Sequence, residues 1–142
     1  GEVREIAIQG GEHLIGDQKP PVPYNSTPPT SGWHSSGDVT IAVRPPGRPL
    51  SEPQQVSVLE AGGVVVSYRR LRDEDRRALE RRVRRDFDGR AAVTPYRKLG
   101  RGEVALTAWG LLQRCDGLDL PAVGDFIDRH AERRPDTPEH SG

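Results

Sequence analysis

The chain has 142 residues, 33% of them apolar and 30% charged, with a mean hydropathy of −0.70. That is the size of one domain with one core, polar for a globular protein but not polar enough for disorder throughout. A single cysteine excludes an internal disulfide and a cysteine metal cluster, and no apolar run approaches the roughly 18 residues of a membrane span.

Residues 4–9 alternate weakly and predict a first strand, ended by Gly10 and Gly11. A proline-rich segment then runs to Thr30. Its prolines at 20, 21, 23, 28 and 29 forbid a helix and exclude a central strand. Tyr24, Trp33 and His34 have rings that need somewhere to bury, so the segment is expected to be ordered. Residues 39–43 are a β-branched run and predict a strand. Residues 44–53, broken by Pro45, Pro46, Pro49 and Pro53, predict another loop. Residues 55–60 alternate about Val56 and Val58, which predicts a strand or the approach to one, before Gly62 and Gly63 break the pattern. Val64–Tyr68, with three consecutive valines, is the strongest strand in the chain.

Asp73 is expected to cap a helix running to about Phe87, with Leu79, Val83 and Phe87 at i, i+4 and i+8 as its apolar stripe. The arginines of this helix belong to an excess of nineteen Arg over two Lys, concentrated in residues 69–101. Asp73, Glu74, Asp75, Glu80 and Asp86 are interleaved with them, which predicts a solvated helix face. With zero net charge and no basic–aromatic interleaving, no nucleic-acid partner is expected. Asp88 and Gly89 turn the chain into a short strand at 91–94. Residues 103–112 are strongly apolar and predict a strand at their start. Asp119 caps a last helix that tolerates Pro121 in its first turn and buries Val123, Phe126, Ile127 and His130.

The order predicts an α+β fold: a small mixed or antiparallel sheet with two helices packed on it and long Pro-rich loops. One domain is expected over residues 1–134, followed by a polar tail over 135–142.

Four local motifs stand in sequence. They are His-Leu-Ile-Gly at 13–16; Tyr-Asn-Ser-Thr-Pro-Pro-Thr-Ser-Gly-Trp-His at 24–34; Leu-Glu-Ala-Gly-Gly-Val, continuing to Tyr68, from 59; and Ala-Leu-Thr-Ala-Trp-Gly at 105–110. Together, over roughly residues 11–134, they resemble the bacterial domain of unknown function family 3105. The second motif is the most specific. In the third, the family pattern has histidines where this chain has Ser57 and Ala61, so a four-histidine set reduces to His13 and His34.

The imidazoles of that set imply a transition-metal site, Cu or Zn, since neutral imidazole suits such ions. Here His13 and His34 are the candidate metal ligands. Glu60 is a candidate third ligand, and Asp38 lies near His34 in sequence. Two histidines and one carboxylate are a recognised arrangement for catalytic zinc or non-haem iron. The alternative for both histidines is structural, with ring nitrogens tying loops to backbone.

Two functions are carried forward. The first is an extracytoplasmic ligand- or metal-binding domain with a degenerate histidine site, normally held by an anchor upstream of Gly1; the chain contains no methionine, so a missing start is expected. The second is a repurposed scaffold, cytoplasmic if biosynthetic, that binds or transforms a small organic molecule in the space left by the lost histidines. Tyr24, Trp33, His34, Glu60 and Tyr68 would line that space, with His34 or Glu60 as acid or base. Whether the domain is an enzyme stays open at this level.

Overall fold

The computed structural model describes residues 1–16 and 18–135. In chain order it forms β1 (Arg4–Glu5), β2 (His13–Leu14), β3 (His34–Ser35), α1 (Glu52–Glu60), β4 (Val64–Tyr68), α2 (Asp73–Asp86), β5 (Ala91–Pro95), β6 (Val104–Ala108), β7 (Leu111–Cys115) and α3 (Leu120–His130). The main sheet has the order β1-β7-β6-β4-β5. Only β4 and β5 run parallel; the other pairs are antiparallel. This is the mixed sheet of an α+β fold. No helix among the described residues is long and apolar enough to cross a membrane.

Alternation along β4 sorts the core into two layers. Val64, Val66 and Tyr68 pack with Leu79, Val83 and Phe87 of α2 and with Val123, Phe126 and Ile127 of α3. Val65 faces the other way, against Val56, Val58 and Leu59 of α1 and against Trp109 and Tyr24. The two expected helices therefore share one face, while a third helix and the Pro-rich segment cover the other.

That third helix replaces the strand expected at residues 55–60. Ser51 Oγ accepts from the Gln54 backbone N–H at 3.2 Å, and Gln54 Oε1 accepts from the Ser51 N–H at 2.8 Å. This reciprocal cap, with Pro53 in the first turn, starts a helix. All five residues 55–59 are buried, so no polar face marks the 3.6-residue period, and Val56 and Val58 imitate strand alternation.

Other expectations shift at their edges. Residues 39–43 do not form the expected strand; Val43 alone bridges Val93, and Pro45 and Pro46 prevent continuation. The first strand is two residues long. Beyond Ile6, whose N–H reaches the Gly110 carbonyl, the chain leaves the ladder. The N-cap of α2 is Arg72, without a side-chain cap bond, and Asp73 lies in the first turn with Glu74 and Asp75, where carboxylates favour the helix dipole. The apolar run from 103 is a hairpin, β6 and β7 folded about Trp109 and Gly110; Gly110 has φ +74°. Asp119 caps α3 as expected, accepting from the Ala122 N–H at 3.0 Å. Beyond Pro135, the expected polar tail lies outside the described residues.

Candidate metal centre

The Pro-rich segment is ordered by burial and by side-chain hydrogen bonds. Residues 28–32 are buried, and the Thr27–Pro28 peptide is cis. The chain leaving β1 is stitched to this segment. Gln9 N–H donates to Ser31 Oγ at 2.7 Å, Gln9 Nε2 donates to the Pro23 carbonyl at 2.8 Å, and Gln9 Oε1 accepts from Asn25 N–H at 3.0 Å. Tyr24 closes the loop by donating its hydroxyl to the Trp33 carbonyl at 2.6 Å. Burial and the nearby Glu52 carboxylate push the Tyr24 phenol upward, so it remains a donor.

Two glycines then let backbones touch. A Cβ on Gly11 would lie 2.4 Å from the Gly32 carbonyl carbon and from the Trp33 nitrogen. Gly32 itself has φ +107°, a region L side chains rarely adopt. With that approach, β2 and β3 run parallel with His13 opposite His34, and the His34 and Ser36 N–H groups donate to the Glu12 and Leu14 carbonyls.

Opposite residues of neighbouring strands share a face, so the two imidazoles meet. Their centroids are 4.3 Å apart and the planes stand at 72°. Helix α1 brings the third group. Ser57 Oγ donates to the Ser35 carbonyl at 3.1 Å and to the Pro53 carbonyl at 3.1 Å, holding the helix against β3. One turn on, Glu60 reaches both rings: Oε2 is 2.7 Å from His34 Nε2, and Oε1 is 3.9 Å from His13 Nε2. Ligand atoms of His13, His34 and Glu60 all lie within 4.8 Å of one another. The His34 side chain is 6% exposed, that of Glu60 36% and that of His13 61%, so the group opens to solvent on the His13 side.

The protonation pattern of His34 is constrained by its neighbours. Its Nδ1 lies 2.9 Å from the Gly32 carbonyl, which can only accept, so Nδ1 carries a proton. In the neutral ring Nε2 then offers a lone pair. It faces the Glu60 oxygen at 2.7 Å, yet the contact is not directed as a hydrogen bond. Two lone-pair atoms at that separation require a proton or a cation between them.

The remaining sequence candidates scatter. Trp33 is half-buried beside the centre, with its carbonyl held by Tyr24. Tyr68 points to the α2 and α3 side of the sheet, away from Glu60, where burial and the Glu80 charge push its phenol upward. Asp38 is not among the clustered ligands. Ser57 occupies the α1 face that looks at β3, and Ala61 follows Glu60 as the helix C-cap. His130 stacks edge-on against Phe126 at 4.8 Å, a packing role on α3. Sequence reasoning did not foresee the Gly11–Gly32 approach. Its signal was a glycine two residues before each of the paired histidines, Gly11 before His13 and Gly32 before His34.

The family model described as protein of unknown function (DUF3105) matches residues 17–142. The chain belongs to that family. Within this DUF3105 domain, His34 and Glu60 lie inside the matched region, and His13 reaches them from residues that precede it. Comparison with curated proteins and with solved structures gives no match.

Proposed function

We propose that this DUF3105 domain binds one divalent transition-metal ion, Zn or Cu, through His13, His34 and Glu60. The observation that carries the reading is the facing pair of lone-pair atoms, His34 Nε2 and Glu60 Oε2, with the His13 ring beside them. The Nδ1–H bond to the Gly32 carbonyl supports it, because metal-ligating histidines usually donate their other nitrogen to a backbone carbonyl or carboxylate. Ligand atoms around tetrahedral zinc stand about 3.3 Å apart, given bonds of ~2.0–2.1 Å. Glu60 would withdraw slightly from His34, at 2.7 Å, and His13 would close from 3.9 Å. Both are rotamer-scale adjustments, and the exposed His13 is free to make one.

Three protein ligands leave a coordination position open, and the exposed side of His13 gives that position access to solvent. Such a site suits exchange of the metal or of a further ligand on it. The metal would supply a Lewis-acid or ligand-exchange centre; the chain's own part is to orient two imidazoles and one carboxylate. The reading also retains the extracytoplasmic placement that the family resemblance implies, which cell fractionation tests.

The decisive experiment is metal content of the purified protein, followed by competition titration with Zn and Cu on the wild type and on His13→Ala/His34→Ala. One equivalent of metal, lost in the double variant, is the expected result. No binding at micromolar metal would overturn the reading.

A further inference from the structure

The second chemical feature of the fold lies at the other end of α1. A cavity of about 570 Å³ opens beside the first turn of the helix, between the loop before it and the segment after β5. That volume falls within the roughly 300–1,000 Å³ typical of small-molecule sites. Glu52, on its wall, is eight residues from Glu60 along α1, roughly 12 Å at 1.5 Å per residue. The cavity is therefore separate from the histidine centre.

We infer that this cavity is a binding site for a small aromatic carboxylate. Apart from Ser51 and Gln54, which cap α1, and three charged residues, the walls are apolar and stiff. Pro46, Pro49, Pro53 and Pro95 line it, each with its backbone φ fixed by the ring. Leu50 is buried and held by its N–H bond to Thr94 Oγ1 at 2.9 Å. Tyr96, also buried, is pinned by its hydroxyl bond to Glu52 Oε2 at 2.6 Å. A pocket built this way is already formed, so little ordering entropy opposes a flat apolar body.

The charges decide the sign of the ligand. Among the described residues Glu52 is the one carboxylate lining the cavity, and it is already engaged: Oε2 accepts from Tyr96 and Oε1 from Lys98 Nζ at 2.9 Å. Lys98 and Glu52 cancel. Arg97, exposed at the rim, has no ion-pair or hydrogen-bond partner among the described residues. One uncompensated positive charge thus stands beside an apolar chamber. A guanidinium matches a carboxylate in bidentate geometry. A cationic ligand would meet Arg97 with no free carboxylate to offset it.

The test uses 2-naphthoate as the probe and 2-naphthamide as its neutral counterpart, titrated by calorimetry and by amide chemical shifts on the whole chain. The expected result is saturable one-to-one binding of 2-naphthoate, with shifts at Leu50 and Tyr96. Binding should weaken by about tenfold for 2-naphthamide and for Arg97→Ala, since each removes a charge-assisted contact. Pro46→Trp, which fills the chamber from an exposed position, should abolish binding. His13→Ala/His34→Ala should leave it unchanged. Equal affinity for the two probes, an Arg97→Ala variant that binds as the wild type does, or no saturable binding at millimolar probe would each overturn the inference. Arg97 has no partner to lose, so its variant decides the matter even if Pro46→Trp fails to fold.

Discussion

His13 and His34 are twenty-one residues apart in sequence and directly opposite each other in a parallel pair of two-residue strands. Parallel pairing usually joins strands through a long crossover, and here the crossover is the Pro-rich segment itself. The pair is small, so its backbone ladder alone cannot hold it. What holds it is the packing of Gly11 on Gly32 and the bonds of Gln9 and Tyr24 around the loop.

This makes Gly11 a positioning residue for the metal centre. A Cβ at position 11 would sit 2.4 Å from backbone atoms of Gly32 and Trp33, which cannot rotate away. Gly11→Ala should push β2 off β3 and separate the histidines. β2 lies outside the main sheet, so the thermal midpoint should fall by only a few degrees, equivalent to about 1 kcal/mol. Metal affinity should fall by about tenfold or more, as for loss of a ligand worth ~1.4 kcal/mol. Parallel melting curves and metal titrations measure both. Unchanged affinity would mean that His13 is not a ligand.

A second expectation concerns pH and a different histidine. His130 has its pKa lowered, first by burial and then by Arg133 and Arg129. Its folded pKa therefore lies below the unfolded value of about 6.5. The unfolded chain binds the proton more readily, so this residue's contribution to stability is present above pH ~6.5 and is lost as pH falls through the folded value. Replacing it with phenylalanine, which keeps the edge contact to Phe126, should flatten the acid side of the stability profile. The check is urea unfolding of wild type and His130→Phe between pH 5 and 8, where the relevant quantity is the difference between the two slopes. Identical slopes would remove His130 from the account.

What the sequence made legible follows from where the information is local. Val64–Tyr68, residues 91–94 and the stripe Leu79, Val83, Phe87 carry their structure in composition and period, and each packs as the pattern implies. Asp119 with Pro121 marks a helix start by chemistry confined to one turn. Helix α1 carried an equally local signal, the Ser51–Gln54 cap. Burial on all sides removed the periodicity that would have confirmed it. Strand β7 was obscured because Gln113 and Arg114 interrupt its apolar run; Arg114 is there to meet Glu103 across the hairpin at 2.7 Å. The meeting of His13 with His34 is not local at all. It depends on two backbones approaching where neither glycine has a side chain. Residue types alone could name the ligands but could not place them together.

The positions of Ser57 and Ala61 lead to the last prediction. They are four residues apart, Ser57 in the last turn of α1 and Ala61 at its C-cap, and Ser57 contacts β3 directly beside His34. Glu60, between them in sequence, already touches His34. A histidine at 61 would stand at the exposed C-terminal edge of the helix, next to Glu60, whereas one at 57 would have to replace a buried hydroxyl that clamps α1 to β3. Ala61→His is therefore expected to add a fourth ligand at little structural cost. It should tighten Zn or Cu binding by about tenfold to a hundredfold, ~1.4–2.8 kcal/mol. The gain should be steeply pH-dependent, because each added imidazole must be deprotonated to bind. Competition titrations of Ala61→His and of Ala61→His/His34→Ala measure it. If the added histidine tightens binding equally with His34 present or absent, the ion is being held outside the centre described by His13, His34 and Glu60.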